Sequence, residues 1–231
     1  MKRKLRTPFF VVNPKAYLYG DNSLALALKA DELAGKYDVD ILYTVQHADA
    51  YRISQLTEHL IITAQHMDSL VPGRGMGYIL PEALVANGVK ATFLNHAEHP
   101  IQMSELVQVM KRADELDILT IVCADSIAEA KAIATLNPDI MICEPTELIG
   151  TGQSSDLDYM RSTNESVKSV NNQILVLQAA GISSPADVRK ALTSGADATG
   201  GTSGIVAADK PVEMLEKMLK ELVAFREEQV E

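Results

Sequence analysis

Three side chains that can move a proton or hold a charge stand where apolar runs of the chain give out: Glu144 in IMICEPTELIGTG (140–152), His96 in ATFLNHAEHP (91–100) and Lys15 in FFVVNPKAY (9–17). Glu144 is followed at once by Pro145, so a segment that reads as a buried strand finishes on a carboxylate, where a rigid scaffold can mount a reacting group. Such a carboxylate offers a general base, His96 a hydrogen-bond donor or proton shuttle, and Lys15 a fixed positive charge. Two small-residue turns, Ala180-Gly181-Ile182-Ser183 and Gly200-Gly201-Thr202-Ser203-Gly204, leave backbone N–H groups accessible and could cradle a phosphate. Singly, each has a plainer reading: a strand exit, a solvated lysine, a loop histidine, a glycine serving a left-handed turn. Their joint placement at the ends of successive apolar runs points to one site.

The elements that must position them alternate along the whole chain. Strand candidates are 9–12, 39–45, 60–64, 91–95, 117–123, 139–143, 173–178 and, least regular, DATGGT at 197–202. Between them lie segments of helical period, among them 23–37, 103–116, 126–136, 185–195 and 212–229, the last with Leu, Met and Val at three- and four-residue spacing. Ser126 with Glu129 reads as a capping box, and Ser184 before Pro185 as an N-cap followed by the first helical residue. Strands joined through helices must be parallel, and parallel strands need both faces covered. Eight such units predict a closed (β/α)8 barrel, a single domain over 1–231, with the basic residues 1–6 as a disordered or peripheral extension. An open doubly wound sheet is the runner-up, but the turn after the first strand, VVNPKAYLYG, lacks its glycine fingerprint. In a barrel, the residues just after each strand gather at one mouth, so Lys15, His96 and Glu144 should converge beside the late turns.

The bulk properties set the outer bounds. A chain of 231 residues, 47% hydrophobic and 23% charged, can bury a full core without disulfides, and Cys123 and Cys143 sit inside apolar runs where reduced thiols pack. A reducing, cytoplasmic setting is the expectation. The apolar run behind MKRKLR is too short for a signal-peptide core or a membrane span, so no membrane partner is expected. A net charge of −10 argues against a nucleic-acid surface but leaves room for a small anionic ligand.

The ordered set NPK (13–15), AQH (64–66), LPEA (80–83), LNHAE (94–98), EPTELIGTG (144–152), AGIS (180–183) and SGADA (194–198) resembles the triosephosphate isomerase family in its short, archaeal-type form, from about Phe9 to Pro211. The resemblance implies interconversion of glyceraldehyde 3-phosphate and dihydroxyacetone phosphate through an enediolate. Glu144 would be the base at the hinge of a lid, His96 would polarise the carbonyl and shuttle protons, and Lys15 would supply charge to the oxyanion and phosphate. Asn13 would orient that end of the site, and the N–H groups of Ile149, Gly150, Gly181, Thr202 and Ser203 would bind phosphate. No metal or organic cofactor is implied, and the expected partners are a small phosphorylated sugar and further copies of the chain, as a homodimer or homotetramer. Glu98 matches a glutamate near the family's site and reads as a salt-bridge or capping group at least as readily as a proton carrier. Cys123 and Cys143 read as packing.

Three features depart from the family pattern. Met76 stands where a threonine usually reaches a neighbouring subunit, no arginine follows Glu98, and Ala198-Thr199-Gly200-Gly201 is small where bulky aliphatics are usual. Small residues in the last strand leave open whether Gly200-Gly201 or Thr202-Ser203 faces the phosphate, and whether extra room admits a longer substrate. Two rival readings follow: an aldose–ketose isomerase for a longer sugar phosphate such as a tetrulose phosphate, and a catalytically inactive barrel that binds a sugar phosphate. A binding module, however, needs neither base nor electrophile.

Overall fold

The computed structural model describes residues 2–144 and 156–229. Its eight strands are β1 (Phe9–Val12), β2 (Ile41–Val45), β3 (Ile61–Ala64), β4 (Ala91–Leu94), β5 (Leu119–Ala124), β6 (Ile140–Cys143), β7 (Leu175–Gln178) and β8 (Ala198–Gly201). They pair in chain order, all parallel, and β8 returns to β1, so the sheet is a closed barrel. Helices α1 (Gly20–Tyr37), α2 (Ala50–Leu56), α3 (Pro81–Ala86), α4 (Met103–Glu115), α5 (Ile127–Ala134), α6 (Leu157–Val170), α7 (Pro185–Thr193), α8 (Ser203–Val206) and α9 (Pro211–Glu228) surround it. No described helix is long and apolar enough to cross a membrane.

Alternation along each strand divides the core in two. Phe9, Val11, Leu42, Ile61, Ala91, Phe93, Leu119, Ile121, Ile140, Ile142, Leu177 and Ala198 fill the barrel, while their neighbours, such as Phe10, Val12, Ile41, Val122, Met141 and Val176, pack against the helices. The helix stripe read at 212–229 is confirmed: Leu215, Met218, Leu219 and Leu222 are fully buried. Ser184 caps α7 as expected, its side chain accepting from the Asp187 N–H. The capping box at α5 is only half formed. Ser126 accepts from the Glu129 N–H, but the Glu129 carboxylate reaches the Asp125 N–H at 2.8 Å and Asn95 Nδ2 at 3.1 Å instead. That diversion ties the start of α5 to the residue preceding His96.

The basic residues at the start of the chain are not a loose extension. Leu5 is buried with the barrel-interior residues, at the end opposite the strand carboxyl termini, and charges on either side of it are matched across the fold. Lys2 Nζ lies 2.6 Å from both Asp114 and Asp139, and Arg3 and Arg6 both pair with Asp40, at 2.9 and 2.8 Å. Burial alone would push the Asp40 carboxyl up, but these partners hold it below the usual carboxylate range. Three of the four basic residues in a segment that looks solvated in isolation therefore neutralise carboxylates supplied from distant parts of the chain.

The small residues of β8 also have a tertiary cause. Gly200 lies opposite Val11, and a Cβ built on it would sit 2.2 Å from the Val11 carbonyl oxygen and 2.7 Å from its Cβ. The side-chain space is therefore occupied by β1, and no added room for a longer substrate opens there. Gly200→Val should lower the melting temperature sharply, with a destabilisation of about 1–3 kcal/mol or more, typical of overpacking. Thermal denaturation checks this; a valine variant as stable as the parent would mean that β1 and β8 are not so closely apposed.

Candidate active site

Lys15 is held by its backbone. It adopts φ +47°, a left-handed conformation that costs a non-glycine residue roughly 1–2 kcal/mol and persists only where the surroundings enforce it. Its N–H donates to Asn13 Oδ1 at 3.0 Å, and that oxygen also accepts from Thr44 Oγ1 at 2.5 Å. Its carbonyl accepts from Gln46 Nε2 at 3.1 Å and Gln65 Nε2 at 2.8 Å. Asn13 is itself fixed by donating its N–H to the Gly201 carbonyl at 3.1 Å. The ammonium group, so aimed, lies 2.7 Å from Glu98 Oε1.

His96 follows β4 through Asn95, which turns the chain at φ +56°. Asn95 accepts the Ile101 N–H and donates to the Cys123 carbonyl, so the turn is pinned at both ends. The Glu98 N–H donates to His96 Nδ1 at 3.1 Å, which places the proton of the neutral ring on Nε2 and makes that atom a donor. Burial first, and the Lys15 charge second, hold the imidazole below its ordinary pKa, against a weaker opposing pull from Glu98.

Glu144 emerges directly from β6, its N–H bonded to the Ala124 carbonyl at 3.0 Å. The residue as a whole keeps some exposure, but Oε1 is fully buried and finds no hydrogen-bond partner among the described residues. Burial pushes the carboxyl up to about 7, against the opposing effects of Lys15 and the Ala179 backbone. A carboxylate in that range is poised as a general base near neutrality. Burial also raises the Cys123 and Cys143 thiols, Cys143 to about 11, which keeps both as unreactive packing groups.

The three groups share a cavity of about 250 Å³ with Asn13, Tyr17, Gly181, Gly201, Thr202 and Ser203. That is at the small end of ligand-site volumes. Gly181 turns at φ +67°, and a Cβ on Gly204 would meet the Ile182 carbonyl at 2.3 Å, so the loops after β7 and β8 lie against each other as one wall. Thr202 and Ser203 lie just past β8 and line the cavity, as does Gly201; Gly200 does not. Ile149 and Gly150 lie outside the described residues. Thr44, Gln46 and Gln65 were not singled out from the sequence. Gln65 falls within the quoted AQH, whereas Thr44 and Gln46 carry no local signal beyond standing at a strand end.

A (β/α)8 barrel that brings a buried carboxylate, a neutral imidazole and a lysine to one mouth has the layout of a proton-transfer enzyme for a small anionic substrate. The sequence model of the family described as "Triosephosphate isomerase" matches residues 8–218. Similar proteins named triosephosphate isomerase include those of Methanobacterium bryantii, 36% identical over 214 residues (90% of this chain and 94% of that one), and Methanobrevibacter smithii, 36% identical over 223 residues (94% and 100%). That of Methanothermus fervidus is 34% identical over 220 residues (93% and 99%). The chain belongs to the triosephosphate isomerase family.

The raised Glu144 carboxyl carries a stability consequence whose sign is fixed. Below the unfolded value near 4.5 both states hold the proton; between there and about 7 only the folded state does, so stability falls as pH rises through this window. Relative to wild type, Glu144→Gln should therefore gain stability between acid and mildly alkaline pH, by up to roughly 3 kcal/mol. Urea denaturation of both proteins across that range checks it; parallel curves would show that the carboxylate is not buried uncompensated.

Proposed function

We propose that this protein is a triosephosphate isomerase that interconverts D-glyceraldehyde 3-phosphate and dihydroxyacetone phosphate, with Glu144, His96 and Lys15 as its reacting and charge-stabilising groups. The observation that carries the assignment of roles is the buried Glu144 carboxylate, its Oε1 without a hydrogen-bond partner among the described residues, sharing one small cavity with the His96 and Lys15 side chains. Glu144 takes a proton from the carbon next to the carbonyl; the C–H bonding pair becomes the new C=C bond as the carbonyl π pair moves to oxygen, which forms the enediolate. His96 donates from Nε2 to the carbonyl oxygen and recovers a proton from the neighbouring hydroxyl. Glu144 then returns its proton to the adjacent carbon. Lys15 offsets negative charge on the oxyanion and on the phosphate, which sits against Gly181, Thr202 and Ser203. Asn13 fixes the Lys15 turn and so orients that end of the site. Residues 145–152, with Ile149 and Gly150, would close over the substrate, because an exposed enediolate can expel phosphate before it is reprotonated.

The rival readings lose their motivating observations. Space for a longer substrate is taken up by Val11 at Gly200 and limited by the Ile182 carbonyl oxygen, 3.0 Å from a Cβ built on Gly201, and a passive binding barrel has no use for a buried carboxyl whose pKa is raised to about 7. A coupled assay comparing the triose phosphates with four-carbon aldose and ketose phosphates tests the substrate. Glu144→Asp, which withdraws the carboxylate by one methylene, should lower kcat by orders of magnitude with little change in KM. Preference for a four-carbon substrate, or loss seen only in KM, would contradict the reading.

We further propose that the chain self-associates, as a homodimer or homotetramer, in the cytoplasm. Val71, Met76 and Tyr78 in the loop after β3, and Tyr17 and Tyr19 in the loop after β1, are exposed, Met76 completely. Large apolar side chains exposed on loops are common material of an interface. Light scattering of the purified protein should give a mass at least twice that of the chain, and Met76→Asp should lower it; a monomeric wild type would remove the proposal.

A further inference from the structure

The end of β2 holds two polar residues that the isomerase chemistry does not itself use. Thr44 is fully buried, and its hydroxyl is directed at Asn13 Oδ1, 2.5 Å away. Gln46 follows the strand, and its Nε2 lies 3.1 Å from the Lys15 carbonyl and 3.4 Å from Gln65 Oε1. Only one orientation of the Gln46 amide presents a donor to both oxygens, so its nitrogen faces the Lys15 turn. Residues that begin β1's exit loop are thus gripped on the N–H side through Asn13 and on the carbonyl side through two glutamine amides, Gln46 and Gln65.

What is gripped is a conformation that Lys15 would not hold alone. A lysine relieved of these bonds relaxes from φ +47° toward the ordinary regions, and its Cα–Cβ vector turns with it. The ammonium would then leave the position from which it faces Glu98, His96 and the cavity. We propose that Thr44 and Gln46 are positioning residues for Lys15: the carboxyl end of β2 sets the left-handed turn that aims the charge at the substrate, without contacting the substrate. Neither side chain lines the main cavity, which separates this role from direct binding. The proposal rests on the isomerase reading of the site and adds to it the element that fixes the Lys15 cation.

The test is a double-mutant cycle. Gln46→Met removes the amide donor at similar length, and Thr44→Val removes the hydroxyl at constant shape. Thr44→Ser keeps the hydroxyl. In the otherwise native protein, Gln46→Met and Thr44→Val should each reduce kcat/KM about tenfold or more, with Thr44→Ser near wild type. In a Lys15→Ala background, where no ammonium remains to be aimed, the same two substitutions should change kcat/KM by less than about twofold. Equal losses in both backgrounds would mean that β2 merely supports the fold, and unchanged activity in the native background would mean that Lys15 needs no such grip; either overturns the proposal. Because Gln46 is only half-buried, its variant should fold even if Thr44→Val does not. A wild-type protein inert on both triose phosphates would overturn the isomerase reading and this proposal with it, whereas an active wild type with an equally active Gln46→Met overturns the proposal alone.

Discussion

Closure of the sheet between β1 and β8 is the constraint on which the rest of the structure depends. A parallel barrel has no spare edge, so the last strand must pair with the first along its whole length. Here the two backbones come so close that position 200 has no room for a Cβ. At the mouth the same seam continues as the Asn13 N–H to Gly201 carbonyl bond, and at the floor as the Phe9 N–H to Asp197 carbonyl bond. The seam therefore places the lysine loop of β1 next to the small-residue turn of β8, the two features that an anionic substrate needs side by side. α9 packs over it from outside, against α1 and α7, so that the end of the chain secures its beginning.

Burial then sorts the acid–base groups. A low-dielectric mouth disfavours charge on any side chain, which raises a carboxyl and lowers an imidazole. Glu144 and His96 move in these opposite senses toward their uncharged forms, so near neutrality one can accept a proton while the other can donate a hydrogen bond without being an imidazolium. Lys15 acts on both, easing ionisation of Glu144 and opposing that of His96. Its partner Glu98 is exposed to solvent, so the charge of the lysine is only partly spent on it. In a chain of net charge −10, one cation fixed at the mouth does more for an anionic substrate than several on the surface.

Much of this was legible because local rules and tertiary structure agree. The strand periods at 9–12, 91–95 and 139–143 locate the barrel staves, and Lys15, His96 and Glu144, each within a few residues of a stave's end, line one cavity. Where legibility failed, the cause lay in a partner distant in sequence. Gly200 reads as space or as a bulge until Val11 is brought against it. MKRKLR reads as solvated until Asp40, Asp114 and Asp139 arrive beneath the barrel. Ser126 and Glu129 read as a reciprocal cap, yet Asn95, from another strand, competes successfully for part of the carboxylate. Thr44 looks like an ordinary β-branched strand residue, and nothing in its own neighbourhood announces Asn13.

Some of the places where the chain breaks its own local rules meet at one mouth, although Asp38, Asp117 and Asn137 also take positive φ elsewhere and Ser23 Oγ and Glu82 Oε2 are also buried without a hydrogen-bond partner among the described residues. A lysine with positive φ, a carboxylate oxygen without a hydrogen-bond partner among the described residues and a histidine held neutral would each be relieved by a more ordinary residue, and each lies at the same small cavity. The barrel interior, by contrast, is filled by Phe, Leu, Ile and Val, and the buried strands there keep to period two. A fold that satisfies its rules throughout the core can tolerate a few kcal/mol of local cost at the rim, provided the loops carrying that cost are tied to the strands beneath. The ties are visible: Asn13 to Gly201, Asn95 to Cys123, Glu144 to Ala124. Each runs from the unfavourable residue, or from one within two positions of it, to the backbone of another stave, so the strain is shared by the closed sheet rather than released into the loop.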